Sequence, residues 1–173
     1  MMTEKPVHDP RQRIFNYLLT DKWYVSGGAV NNGGNVLQWF AKGFLKNEIV
    51  SPDEFESFVS EACGVPAGSE GLIFLPYING ERAPVWDADA RGIFFGVSSI
   101  HTRAHFMRAI MEGISFALYE ILHSMEETIG GVNSIYAGGG FIRSKQWVML
   151  LADVLGKKIS VTHAEDSSAA GAA

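Results

Sequence analysis

The sequence predicts a mixed α/β domain that begins with antiparallel strands and ends in a β-α-β unit. Two short apolar runs, residues 13–19 and 23–26, are separated by a three-residue turn, which predicts a hairpin. Apolar residues recur every three to four positions over residues 102–129, which predicts one long helix packed inside the domain. A strand-helix-strand pattern over residues 133–162 follows it.

Two shorter helices are predicted between the hairpin and the long helix. Residues 51–63 open with Ser51, Pro52 and, three positions after the serine, Glu54. This is a capping box with proline at the first helical position, so a helix is expected to begin here. Residues 35–45 have helical apolar spacing, and four of them are expected to face inward: Val36, Leu37, Phe40 and Leu45.

A long loop, residues 77–92, lies between two further predicted strands. The apolar run at residues 71–76 predicts a buried strand, and residues 92–98 predict another. The loop itself has no clear periodicity, and loops of this length are usually functional or held by contacts. Glu81 and Arg82 are expected to form structural ion pairs within it.

Composition limits the classes of partner and the number of domains. The chain has 173 residues, which suits a single domain over 1–173, and 47% of them are hydrophobic, enough for a substantial core. A net charge of −5 argues against nucleic acid as a partner, and no run of like charges suggests an anionic membrane surface. With no membrane-spanning stretch and no signal peptide, a cytoplasmic location is expected.

The segment AGGGFIRSKQW, residues 137–147, places three glycines between a predicted strand and a predicted helix. Backbone amides and the helix N-terminus face a ligand in such a turn, and the missing side chains allow an adenine or ribose to approach the main chain. Ser144 is expected to cap the helix, and its hydroxyl is available to a base. A bare tight turn remains the alternative interpretation.

The sequence does not match other common nucleotide-binding or metal-binding motifs. The dinucleotide fingerprint requires glycine where Arg143 stands, and no Gly-Lys-Ser/Thr follows as in a P-loop. The run from Asp87 resembles the first half of a calcium loop, but its twelfth position is Ser98 instead of glutamate. The five histidines show no metal-ligand spacing, and the single Cys63 excludes an intramolecular disulfide. No metal site is therefore predicted within the chain.

Four ordered stretches together resemble the FGGY carbohydrate kinases. They are SGGAVNNGGNVLQWF from residue 26, PYINGERAPVWDADARG from residue 76, GIFFGVSSIHTRAHFMRAIME from residue 92 and GGGFIRSKQWVMLLADVLGKKI from residue 138. The resemblance spans roughly residues 15–173, and the first stretch is most similar to the gluconate kinase branch. One departure is Met149, which stands where these enzymes usually carry glutamine.

The resemblance implies a fold with two actin-like, ribonuclease-H-like ATPase domains that bind ATP between them. This chain would be most of the C-terminal, nucleotide-side domain, truncated at its C-terminal end. The N-terminal sugar-binding domain, the catalytic aspartate and the phosphate-binding segments would lie outside it. No catalytic residue is therefore expected in this chain, and the chain alone is expected to be inactive.

The resemblance also implies a set of nucleotide contacts. Gly34 and Gln38 match one glycine-and-glutamine pair of the family, and the triplet turn contributes Gly139, Gly140 and Ser144. Many relatives carry asparagine at the position of Ser144 and use it on adenine, and serine is shorter. The implied cofactors are ATP and Mg²⁺.

The resemblance implies transfer of the γ-phosphoryl group of ATP to a hydroxyl of a sugar or sugar acid. The sequence Asn-Asn-Gly-Gly at residues 31–34 favours gluconate as the substrate. A xylulose or glycerol kinase of the same family is the alternative enzyme. Two alternatives of another class are a non-catalytic nucleotide-binding sensory module and a purely structural α/β domain. The expected partners are ATP or ADP and a sugar, and a homodimer is left open.

Overall fold

The computed structural model describes residues 1–46 and 51–161, and it confirms the predicted order of strands and helices. The described elements, in chain order, are β1 (Met2–Thr3), β2 (Phe15–Leu18), β3 (Tyr24–Gly27), α1 (Gly34–Phe44), α2 (Pro52–Cys63), β4 (Ile73–Leu75), β5 (Ile93–Phe95), α3 (Arg103–Ile129), β6 (Ile135–Ala137), α4 (Lys145–Leu155) and β7 (Ile159–Val161). Short 3₁₀ helices precede β4, at Ser69–Gly71, and α4, at Gly140–Arg143.

The described strands form three small sheets. The first is antiparallel with the order β1-β3-β2, and it contains the predicted hairpin with Tyr17 opposite Val25. Strands β4 and β5 form an antiparallel pair. Strands β6 and β7 are parallel and are joined through α4, which confirms the predicted β-α-β unit. The two-residue β1 was not predicted, because so short a strand shows no alternation of apolar and polar residues.

Helix ends follow the capping rules closely. The Ser51 hydroxyl accepts a hydrogen bond from the amide of Glu54, and the Glu54 carboxylate accepts one from the amide of Ser51, so the predicted capping box is confirmed. Helix α4 ends at Gly156, which adopts a left-handed conformation. In α1 the inward positions are also confirmed except for Leu45, which is only partly buried because it follows the last turn.

Helix α3 runs through the core of the domain. Met107, Ile110 and Met111 are completely buried there, packed against residues of α1, α2, β4 and α4. The helix approaches β4 so closely that a Cβ built on Gly113 would lie 2.4 Å from the carbonyl oxygen of Phe74. Only glycine fits at this crossing, so α3 and β4 are held at a separation that a side chain would prevent.

The β4 strand is buried on one face only, which corrects the prediction of a fully buried strand. Phe74 is 3% exposed, whereas its neighbours Ile73 and Leu75 are exposed. An unbroken apolar run does not distinguish a strand covered on both faces from one that is covered on one, because the periodicity is hidden.

The loop of residues 77–92 is held against the glycine-rich stretch of residues 26–34 by a buried carboxylate. Glu81 is 3% exposed and accepts hydrogen bonds from the amides of Asn31 and Arg82, both at 2.8 Å, and from Nδ2 of Asn32 at 3.0 Å. The side chain of Asn32 also donates to the carbonyl of Gly80 and accepts from the amide of Asn79. We call this arrangement the Glu81 latch.

The predicted ion pairs of Glu81 and Arg82 are wrong for the residues that the structure describes. The carboxylate of Glu81 receives three N–H donors and no cation, and the side chain of Arg82 is exposed. Sequence shows the charge of a residue but not its burial, and a buried carboxylate is satisfied equally well by amide donors.

The N-terminal segment is anchored to the end of α3 through Arg13. Its guanidinium binds both carboxylate oxygens of the buried Asp9, at 2.9 and 3.0 Å, and also pairs with Glu127. The hydrogen bonds from Arg13 lower the pKa of Asp9 to about 2. Because the folded pKa lies below the value near 3.9 of an unfolded chain, Asp9 stabilises the fold above about pH 4.

Replacing Glu81 with alanine is expected to destabilise the domain by about 2–4 kcal/mol, because the amide donors of the latch lose their buried acceptor. Glu81→Gln keeps one acceptor oxygen but places an NH₂ group beside an N–H donor, so an intermediate loss is expected. Urea unfolding monitored by circular dichroism measures both. Equal stability of Glu81→Ala and the unsubstituted protein would contradict the latch.

Asp9→Asn is expected to lower the free energy of unfolding by about 1–2 kcal/mol at pH 7. The difference from the unsubstituted protein should shrink as the pH falls from about 4 towards 2, because Asp9 then becomes protonated in both states. Asp21→Asn, at an exposed turn position, serves as the control and should change stability little at any pH. A loss for Asp9→Asn that does not depend on pH would show that the charge is irrelevant.

Candidate functional site

A cavity of about 390 Å³ lies where the starts of α1, α2 and α4 meet the 3₁₀ turn at Gly140–Arg143. It is lined by Gly34, Gln38, Ser51, Pro52, Phe55, Gly140, Phe141, Arg143 and Trp147. Its volume falls within the range of small-molecule sites.

The first turns of two helices face this cavity. Helix α1 begins at Gly34, and its N-cap Gly33 provides no side chain to the amides of the first turn. Helix α2 begins at Pro52 on the same wall. Helix N-termini carry a partial positive charge, but at α2 two acidic residues in its own first turn offset this charge. The start of α1 has no acidic residue, and the exposed Arg143 adds a full positive charge, so this side of the cavity favours an anionic or strongly polar ligand.

Aromatic side chains form the apolar part of the wall. The rings of Phe55 and Trp147 are stacked with their centroids 5.8 Å apart, and Phe141 meets Trp147 edge to face at 6.1 Å. Trp147 is almost completely buried, so the cluster is rigid on its inner side. Beside it, the half-buried Gln38 brings one amide group that both donates and accepts. A flat heterocycle suits such a surface.

The glycines of the domain differ in what surrounds them. At Gly28 an added Cβ would lie 2.8 Å from the Ile121 side chain, and at Gly80 it would lie 2.5 Å from the carbonyl oxygen of Ala88. These glycines are required by packing. At Gly34 and Gly140 an added Cβ would meet no atom of the described chain within 4 Å, and both positions line the cavity. The space beside them is open to a ligand.

Three of the five predicted contact residues are brought together here. Gly34, Gln38 and Gly140 share the cavity, although they are up to 106 positions apart in sequence. Gly139 does not line it, and its φ of 93° and ψ of −177° show that it makes the turn after β6. Ser144 is completely buried, and its hydroxyl accepts from the amide of Trp147 at 3.5 Å. Its capping role is confirmed, while its contact with a base remains a prediction that this geometry does not support.

Sequence reasoning missed several residues of the wall. Phe55 appears in the sequence only as one apolar position of the α2 pattern, and Trp147 as an inward residue of α4. Arg143 was noticed only because it breaks the dinucleotide fingerprint. The available signal was the position of each residue within one turn of a helix start, where side chains lie beside the exposed amides.

The described part of the chain offers neither a metal site nor a membrane span. No group of three or more His, Cys, Asp or Glu side chains in residues 1–46 and 51–161 is arranged to hold an ion. None of the helices in these ranges is both long and apolar enough to traverse a lipid bilayer.

Comparison with known proteins relates the chain to sugar kinases. The model of the C-terminal domain of the FGGY family of carbohydrate kinases matches residues 1–173. A gluconokinase of Bacillus subtilis is 41% identical over 175 residues, which cover 98% of this chain and 34% of the gluconokinase. The chain thus spans about a third of the length of this curated relative.

Solved structures of sugar kinases have the same fold as this chain. The xylulose kinase of Lactobacillus acidophilus superimposes with a TM-score of 0.84 at 36% identity, over 96% of this chain and 33% of that one. The gluconate kinase of the same organism gives 0.83 at 38% identity, with the same coverage. A Plasmodium falciparum glycerol kinase solved with ADP gives 0.79 at 28% identity, over 98% of this chain and 33% of that one. This chain therefore belongs to the FGGY family of carbohydrate kinases and corresponds to its C-terminal domain.

Proposed function

We propose that this chain forms the nucleotide-binding wall of a carbohydrate kinase that transfers the γ-phosphoryl group of ATP to a hydroxyl of a sugar or sugar acid. The cavity at the starts of α1, α2 and α4 would hold the adenosine part of the nucleotide. Its aromatic wall and its two open glycines suit a flat base and a ribose, and the glycerol kinase solved with ADP shares this fold.

The observation that carries the proposal is the position of Gly34 and Gly140. Both line the same cavity, and neither is required by packing within the described chain. A structural α/β domain whose glycines served turns alone would not need these two positions to be open together. A ligand that approaches the main chain does need them open.

The role of this chain is to bind and orient the nucleotide. No carboxylate or histidine lines the cavity, so none of its side chains is suited to take the proton from a sugar hydroxyl. Arg143 and the amides at the start of α1 would attract the negative charge of the nucleotide. The described residues provide no ligand set for Mg²⁺, which kinases hold largely through the phosphates, and we assign it no contact with this chain.

Gluconate is the favoured substrate within this proposal. The gluconokinase of Bacillus subtilis supports it, whereas the xylulose kinase of Lactobacillus acidophilus supports xylulose as the second candidate. The sequence of residues 31–34 is a weaker argument for gluconate than it was before the structure was known, because Asn31 and Asn32 form hydrogen bonds in the Glu81 latch. The ratio of kcat/KM for gluconate to kcat/KM for xylulose decides between the two sugars. It is measured on a polypeptide that contains this domain and has the full length of the relatives.

Titration of Mg-ADP into the chain is expected to give weak, saturable binding that falls at least tenfold in Gly140→Val. An added Cβ at Gly140 meets no atom within 4 Å, so the isopropyl group is expected to fill the open space beside the main chain. Isothermal titration calorimetry measures the affinity, and circular dichroism checks that the variant is folded.

Gly43→Val is the matched control. Gly43 lies in α1, an added Cβ there also meets no atom within 4 Å, and the residue is absent from the cavity wall. Its affinity for Mg-ADP should be unchanged. Equal weakening by both substitutions, or a folded chain without saturable binding, would contradict the proposed site.

The chain alone is expected to release no ADP from ATP in a sugar-dependent manner, because its cavity contains no group that can act as the base. A coupled assay with pyruvate kinase and lactate dehydrogenase, run with and without gluconate, measures this release. Sugar-dependent turnover above the rate without protein would show that this chain holds catalytic machinery.

A further inference from the structure

A tight turn within the loop of residues 77–92 holds one bulky side chain in an unfavourable backbone conformation. Trp86 has a φ of 55°, in the left-handed region that suits glycine, and 47% of its surface is exposed. Its indole stacks on no other ring in residues 1–46 and 51–161, so packing within the described domain does not explain this conformation. Residues held in such strained conformations are concentrated at functional sites.

Main-chain hydrogen bonds fix the conformation of this turn. The amide of Glu81 donates to the carbonyl of Asp87 at 2.8 Å, and the amide of Asp87 donates back to the carbonyl of Glu81 at 2.9 Å. Between them, the amide of Trp86 donates to the carbonyl of Arg82 at 2.6 Å. The buried carboxylate of the Glu81 latch anchors the base of the turn. The side chains of Arg82 and Trp86 are therefore carried by one preorganised turn.

Arg82 is an exposed cation whose side chain has no hydrogen bond or ion pair within the described residues. Five of the seven arginines of the chain form ion pairs with carboxylates there: Arg11, Arg13, Arg91, Arg103 and Arg108. The two exceptions are Arg82 and Arg143, and Arg143 lines the cavity. Asp87 lies in the same turn as Arg82, but its carboxylate accepts from the amide of Asp89 instead. The guanidinium of Arg82 is thus available to a carboxylate from outside the described domain.

The turn is attached to the segment that leads into the candidate nucleotide cavity. The amide of Ala83 donates to the carbonyl of Ala29 at 3.1 Å, and Glu81 accepts from the amide of Asn31. Asn31 precedes Gly34 by three residues, and three residues span at most about 11 Å. A kinase holds the group that accepts the phosphoryl beside the terminal phosphate of its nucleotide. The turn therefore lies at the side of the cavity from which an acceptor would approach.

We propose, resting on the proposed kinase function, that Arg82 and Trp86 bind the phosphoryl acceptor and that this acceptor is a sugar acid. The planar guanidinium of Arg82 binds a carboxylate through two parallel N–H···O bonds. The indole of Trp86 offers a flat apolar face to the C–H groups of the carbon chain and one N–H donor to a hydroxyl. A neutral sugar would contact Trp86 alone, so Arg82 is the residue that selects the acid.

Calorimetric titration without nucleotide tests this assignment on a polypeptide that contains this domain and has the full length of the relatives. The two ligands are gluconate and glucitol, which has the same carbon chain without the carboxylate. Arg82→Gln should weaken gluconate binding at least about tenfold and leave glucitol binding unchanged, because only the charge-assisted bidentate bond is lost. Arg82→Lys should recover part of the loss, since a point charge lacks the second bond. Trp86→Leu should weaken the binding of both ligands.

Arg91→Gln is the matched control. It removes the same charge from another exposed position of the same loop, but Arg91 is already paired with Asp89. Its affinity for gluconate should be unchanged. Circular dichroism checks that each variant is folded. A folded polypeptide without measurable gluconate binding overturns the proposal, as does unchanged gluconate affinity in Arg82→Gln. An equal loss of gluconate and glucitol binding in that variant would also overturn it.

The nucleotide site is tested separately, by titration of Mg-ADP into the 173-residue chain. Arg82 does not line the cavity of Gly34 and Gly140, so Arg82→Gln should bind Mg-ADP like the unsubstituted chain. Weakening of Mg-ADP binding by Arg82→Gln would contradict a role confined to the acceptor. A failure of the nucleotide site, shown by Gly140→Val, and a failure of the acceptor contact are therefore distinguishable results.

Discussion

The close crossing of α3 over β4 at Gly113 is the constraint on which the packing of the β4–β5 sheet against the core depends. With no side chain between the helix and the carbonyl of Phe74, the β4–β5 sheet is drawn onto the helix. The rings of Phe74 and Phe94 then stack at 4.3 Å and close the core from that side. A bulkier residue at this crossing would push the sheet outward and open the core, and cores resist such overpacking.

The loop that follows β4 is held beside the start of α1 by the hydrogen bonds of Glu81 and Asn32. Residues 26–34 are rich in glycine, so ordering them costs more conformational entropy than ordering an average segment. The Glu81 latch offsets that cost with hydrogen bonds formed away from water. Gly34 then begins α1 at the cavity. One buried carboxylate thus connects the core packing to the position of the candidate site.

Local patterns in the sequence predicted the elements well, because apolar periodicity, the capping box at Ser51 and the stop at Gly156 act within a few residues. Burial and hydrogen-bond partners that depend on residues distant in sequence could not be predicted in this way. Glu81 was taken for an ion-pair residue because two of its three donors, on Asn31 and Asn32, lie 50 and 49 positions away. Ser144 was correctly predicted as a cap, but its complete burial depends on tertiary packing. The aromatic wall at Phe55 could not be predicted, because the sequence does not show which helix starts lie close together.

The open glycines have a consequence for how variation acts on this domain. At Gly34 and Gly140 the wall of the candidate site is main chain beside open space, so no side-chain atom can be removed there. Scanning with alanine, which detects function through lost atoms, would add a methyl group at Gly34 and Gly140 instead of deleting anything. A damaging variant at either glycine would be a gain of volume, and a graded series from alanine to valine is the informative way to map these two positions.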